Sequence, residues 1–131
     1  MIYQNNIYLD THILVWLYQS QTSQLSKKVI DILEDMDNCF LISPMVILEL
    51  EFLYEIGRIN ANAEQIFNHI NQVLDLTICQ KSWLDVVKVA NQLKFTRDPF
   101  DRLIVANTML DDNILISKDN KISGFYKKCV W

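Results

Sequence analysis

Short apolar runs alternate along this chain with longer stretches whose apolar residues recur at helical spacing. Ile7-Tyr8-Leu9, Phe40-Leu41-Ile42 and Ile114-Leu115-Ile116 are uninterrupted runs that read as buried strands, with further strands near 74–78 and at Val130-Trp131. Between them the spacing predicts helices over 12–19, 24–36, from Pro44 to Gly57, 61–73, 82–93 and from Arg97 to about Leu110. In the second of these, Leu25, Val29, Ile32, Leu33 and Met36 fall on one stripe. Thr11 is placed to cap the first helix. Ser43 before Pro44 combines a capping hydroxyl with proline at the first helical position, and Gly57 is placed to stop that helix. Asp111-Asp112-Asn113 reads as a turn.

Strands separated by helices pair in parallel, because a helical crossover returns the chain to the same end of the sheet. The expected fold is therefore α/β: a central, mostly parallel sheet flanked by helices on both faces, with residues 1–131 forming a single domain free of repeats and linkers. Ligands in such folds sit beyond the carboxyl ends of the strands. Half of the 131 residues are apolar and 21% are charged, so the chain can bury a sizeable core without staples.

Composition then narrows the chemistry. Only two glycines, Gly57 and Gly124, and two prolines, Pro44 and Pro99, are present, which excludes Gly-rich phosphate loops, dinucleotide fingerprints and low-complexity classes. Cys39, Cys79 and Cys129 are odd in number and lack C-x-x-C spacing, so reduced thiols in a cytoplasmic setting are expected. His12 and His69 are too far apart in sequence to suggest a zinc site. The first apolar run carries Asp10 and no basic leader, and no stretch is long enough to span a membrane, so neither secretion nor membrane insertion is expected. Net charge is −4, with three basic and nine acidic side chains in residues 1–65 against nine and seven in 66–131. Bulk charge alone does not point to nucleic acid.

The acidic residues near strand ends are more telling. Asp10 directly follows the first strand, and Asp119 follows Ile114-Leu115-Ile116 after Ser117-Lys118, so parallel strands bring both to one rim. An Asp after a strand is also a common turn former. Glu49 has Met45, Val46, Phe52 and Leu53 as its helical neighbours, which turns it along the buried stripe. A carboxylate there needs a cation, either a salt-bridging Arg or Lys or a metal ion, and both readings stay open. Glu51, beside Ile47, Leu48, Tyr54 and Glu55, is expected nearer the wet face. Asp98 and Asp101 share one face at a helix start, where carboxylates also complement the helix dipole. Four carboxylates on one rim repel each other, and a hard divalent cation, Mg²⁺ or Mn²⁺, relieves the conflict while suiting phosphodiester hydrolysis.

The segments Leu9-Asp10-Thr11-His12, Ser43-Pro44 through Glu49, Arg97-Asp98-Pro99-Phe100-Asp101-Arg102-Leu103-Ile104-Val105-Ala106 and Ile116-Ser117-Lys118-Asp119 resemble the successive motifs of PIN domains, nearest to VapC-type ribonuclease toxins. The resemblance covers essentially the whole chain. It implies a metal-dependent endoribonuclease using Mg²⁺ or Mn²⁺, with Asp10, Glu49, Asp101 and Asp119 as acidic quartet and Thr11 and Asp98 in support. It also implies homodimers and inhibition by a small cognate antitoxin. Arg97, Arg102 and Lys118 flank the expected centre as candidate phosphate contacts, solvated surface charge being the plainer reading. Trp16, Tyr18, Phe52 and Tyr54 lie at helical spacing and read as core or interface rather than as base-stacking platforms.

Two rival folds fail on placement. A phosphate-accepting receiver wants an Asp ending its central strand, where Ser43-Pro44 stands and Asp75 instead begins a strand; a haloacid-dehalogenase-type phosphatase wants an Asp where His12 stands. The alternative that survives is a non-catalytic PIN-like module that binds RNA or protein.

Overall fold

The computed structural model describes residues 5–131. The chain runs β1 (Asn5–Leu9), α1 (Thr11–Tyr18), a 3₁₀ turn (Thr22–Gln24), α2 (Lys27–Glu34), β2 (Asn38–Ile42), α3 (Pro44–Glu55), α4 (Ala63–Leu74), β3 (Thr77–Ile78), α5 (Trp83–Gln92), α6 (Pro99–Met109), β4 (Ile114–Ile116), α7 (Asn120–Phe125) and β5 (Cys129–Val130). The five strands form one sheet in the order β3-β2-β1-β4-β5, every pair parallel. Ile7, Tyr8 and Leu9 are all buried although consecutive strand residues face opposite sides, so both faces of the sheet are covered by helices. This is the α/β architecture expected from the apolar runs.

The strand order reverses at β1: β2 pairs on one side and β4 on the other. The register sets Leu9 beside Ile116, and the Asp10 amide donates to the Ile116 carbonyl at 3.0 Å. The residues that follow β1 and β4 therefore emerge side by side at the carboxyl edge, where such sheets open a crevice. Around this edge α3 packs on α4 and α6, α1 on α3 and α4, and α5 on α6.

Local chemistry explains most helix limits. Ser43 caps α3 by accepting from the Met45 amide, with Pro44 at the first position. The chain leaves α3 through Gly57, whose φ of +79° suits glycine, while the Arg58 amide returns to the Leu53 carbonyl.

Several expectations are corrected. The cap of α1 is Asp10, not Thr11. The second helix stops at Glu34, and Met36 is 97% exposed instead of extending the apolar stripe. Asp75 starts no strand; it is the left-handed cap that ends α4. Glu51 is half-buried rather than wet, because its carboxylate accepts from the Ala63 amide and closes the start of α4. The helix α7 was not anticipated by periodicity.

Candidate active site

All but Glu49 of the acids singled out by sequence sit at or beside a junction that fixes the backbone. Asp10 is the first residue beyond β1 and the cap of α1; Asp119 lies beyond β4 and caps α7; Asp98 caps α6 and Asp101 stands in that helix's first turn. Glu49 projects from the second turn of α3. Asp10, Glu49, Asp98, Asp101 and Asp119 line one open cleft of about 370 Å³, together with His12, Trp16 and Lys118.

The hydrogen bonds show how the acids are held. Asp10 is almost fully buried; one oxygen accepts from the Thr11 amide at 2.8 Å and the other from the Ser117 hydroxyl at 2.6 Å. The same Ser117 oxygen accepts from the Asp119 amide at 3.1 Å, so one buried hydroxyl ties the two strand ends together. The Thr11 hydroxyl, itself inaccessible, donates to Glu49. Asp119 accepts from the Lys121 and Ile122 amides at 2.7 and 3.1 Å, and Asp98 accepts from Phe100 and Asp101. The Asp101 carboxylate receives no hydrogen bond from the described residues.

Crowding of like charge perturbs these groups strongly. Burial, then repulsion from Asp10, Asp98, Asp119 and Glu49, pushes the Asp101 carboxyl up to about 8. Burial raises Glu49 to about 7, with Asp10 and Asp98 adding to the rise and the Thr11 hydroxyl opposing it. Asp10 is also raised, chiefly by burial, against the downward pull of its bonds to Ser117 and Thr11. Burial and mutual repulsion thus disfavour charge on Asp10, Glu49 and Asp101, and a cation in the cleft would relieve it.

The donors are oxygens on hard, anionic groups, which fits Mg²⁺ or Mn²⁺ rather than a thiophilic metal. As the side chains stand, no three His, Cys, Asp or Glu among the described residues are close enough to hold an ion together. Binding an ion would require the acids to draw in across the cleft.

The basic residues divide. Lys118 lines the cleft; Arg97 is exposed on the approach to α6 and does not line it. Arg102 is not brought there at all. Its guanidinium donates to the Ala90 carbonyl at 2.9 and 3.1 Å and to Asn91 at 3.3 Å, closing the end of α5. Read from sequence as solvated surface charge or a phosphate contact, Arg102 here has its guanidinium engaged on α5. Sequence reasoning missed Ser117 as the link between Asp10 and Asp119, and read Trp16 only as core or interface; the parallel β1–β4 register and the i to i+4 spacing from His12 were the signals.

The comparisons with known proteins agree with the fold. A family model described as the PIN domain matches residues 7–128. VapBC2 from Rickettsia felis, solved bound to a DNA fragment from its promoter, is similar in structure at 14% identity and TM-score 0.66, covering 95% of this chain and 96% of that one. A toxin–antitoxin complex from Klebsiella pneumoniae is similar at 18% identity and TM-score 0.63, with coverages of 95% and 96%. VapBC-1 from nontypeable Haemophilus influenzae is similar at 19% identity and TM-score 0.58, with coverages of 91% and 93%. No curated protein sequence matches this one significantly.

Proposed function

Because the chain belongs to the PIN domain family, we propose that it is a metal-dependent endoribonuclease, the toxin of a toxin–antitoxin pair. What supports the reading above all is the convergence of Asp10, Glu49, Asp101 and Asp119, with Asp98, on one cleft at the point where the sheet order reverses. Asp10, Glu49, Asp101 and Asp119 would hold Mg²⁺ or Mn²⁺. A bound ion supplies charge compensation and a water activated for attack on a phosphodiester.

The chain's own residues do the positioning. Ser117 and the Thr11 amide fix both oxygens of Asp10, and the Thr11 hydroxyl fixes Glu49, so these two acids are the anchored side of the cleft toward which the others would draw. Asp101, which accepts no hydrogen bond from the described residues, is the acid most able to move toward a ligand. Burial and mutual repulsion favour the protonated forms of Glu49 and Asp101, and a cation held by these acids would displace those protons. Lys118 offers a positive charge at the mouth for the polyanion.

The partner proposals follow the structural neighbours. Two are VapBC assemblies and the third is described as a toxin–antitoxin complex, which supports an antitoxin for this chain. Homodimerisation, a cytoplasmic site of action and one domain over 1–131 are proposed with it. Among the described residues no helix is long and apolar enough to cross a membrane. The second reading, a module that binds RNA or protein without cutting, draws on the acids standing too far apart to form a ready-made ion site.

One assay separates the two. Purified protein is expected to cleave RNA with Mg²⁺ or Mn²⁺, to stop with EDTA, and to lose cleavage on Asp10→Asn with folding intact. RNA binding without cleavage under any divalent ion selects the module.

A further inference from the structure

The acidic floor of the cleft repels the backbone of the very substrate it would cut, so affinity has to come from elsewhere on its walls. One wall is of different chemistry. His12 and Trp16, one helical turn apart on α1, both line the cleft, their rings 5.7 Å apart and tilted by 45°. Trp131 meets Trp16 edge-on at 5.8 Å and fixes the orientation of its indole. The Lys118 ammonium lies over both indole rings, 5.7 Å from each centroid, and makes no ion pair among the described residues, so a base stacking there takes its place on the ring. His12 and Lys118 are exposed and Trp16 is half-buried, whereas Ile13, Leu14 and Val15 carry the packing of α1 against the core.

We propose that the His12–Trp16–Lys118 wall is a nucleobase subsite, where an unpaired base stacks on the aromatic rings while Lys118 takes the adjoining phosphate. It rests on the ribonuclease reading and deepens it. Helix α1 is capped by Asp10 and reaches Trp16 within two turns, so the stacked base belongs to a nucleotide beside the phosphate over the acids. A base inside a duplex does not expose the face this wall needs, so the substrate is single-stranded or looped RNA. Every base has a π-face, so the subsite selects unpaired geometry more than base identity.

The test is a coupling measurement between protein and RNA. On the Asp101→Asn background, which prevents cutting, the Kd of a short single-stranded RNA is measured with Trp16 intact and with Trp16→Leu. Both are repeated with RNAs carrying one abasic nucleotide moved along the strand. Trp16→Leu keeps apolar bulk; its thermal melt and that of Trp16→Phe report folding, and Trp16→Phe is expected to restore most of the binding.

With Trp16 intact, one abasic position is expected to weaken binding by about 5- to 150-fold, the range of a base–aromatic stack. Trp16→Leu should lose a similar factor on intact RNA, and the two losses should not multiply. Lys118→Ala should weaken every RNA by a similar factor and flatten the salt dependence. Losses that multiply, no sensitive position, or no RNA binding at all would each overturn the subsite. Cleavage of the intact RNA by the unmodified protein is scored separately. Cutting without coupling leaves the nuclease and removes the subsite, whereas coupling without cutting does the reverse.

Discussion

Replacing Asp101 by Asn should make the metal-free protein more stable while abolishing its activity. The carboxyl rises from an ordinary 3.8 to about 8 in the fold. Between those values the folded state holds a proton that the unfolded chain has released, so stability falls as pH climbs and the full penalty is present only above about 8. Asp101 is half-buried at the edge of an open cleft, and water screening reduces the penalty to about 2 kcal/mol. Losing a carboxylate from the first turn of α6 forfeits about 0.5 kcal/mol of dipole stabilisation. The net gain at pH 8.5 in EDTA is therefore about 1.5 kcal/mol, or about 5 °C in Tm for a chain of this size. At pH 5 most of the penalty has not developed, and the gain should shrink to about 1 °C. Paired melts followed by circular dichroism at both pH values give the answer. A variant no more stable at pH 8.5, or equally stabilised at both, would show that Asp101 does not carry the repulsion assigned to it.

Further outcomes follow from individual contacts. Ser117→Ala strips Asp10 of one donor and leaves the Asp119 amide unpaired, and urea denaturation at neutral pH should show a loss of about 2 kcal/mol. Thr11→Val preserves shape but frees Glu49, so Mn²⁺ affinity by titration calorimetry should fall about tenfold or more while Tm in EDTA changes little. Arg102→Met should lower stability by about 1–2 kcal/mol through the end of α5 and leave RNA affinity unchanged; a selective loss of RNA binding would return it to the substrate site. Glu49, raised to about 7, should make Mn²⁺ binding release protons near pH 7, seen as a calorimetric heat that varies with buffer ionisation enthalpy.

The strand order was not legible in the sequence, but the strands were. Leu115, Ile116, Phe40 and Ile42 are buried and Ile114 and Leu41 half-buried, and parallel strands covered on both faces read as continuous apolar runs. Helix α3 announced itself through Ser43 and Pro44. Helix α7 did not: it has six residues, one of them Gly124, and buries only Ile122, too little for a periodic signal. The acids were legible because a carboxylate after a buried strand, or among apolar neighbours in a helix, needs a reason. Their supports were less so. Ser117 matters because Leu9 pairs with Ile116, a register fixed by packing across the sheet, and Glu51 turned inward because the Ala63 amide needed an acceptor. Arg102, beside Asp101, reads from sequence as solvated charge or a phosphate contact, yet helix geometry turns it toward the open carbonyls of α5.

Mn²⁺ titrated into the protein and into Asp10→Asn, Glu49→Gln, Asp101→Asn and Asp119→Asn, with Tm read at each step, asks most directly whether these four acids work as one site. Saturating ion, at about a hundredfold over Kd, should stabilise the unmodified protein by about 2.7 kcal/mol, and each single replacement should remove most of that rise. Any one variant that keeps the full Mn²⁺ response would mean that its acid faces the cleft without belonging to the site.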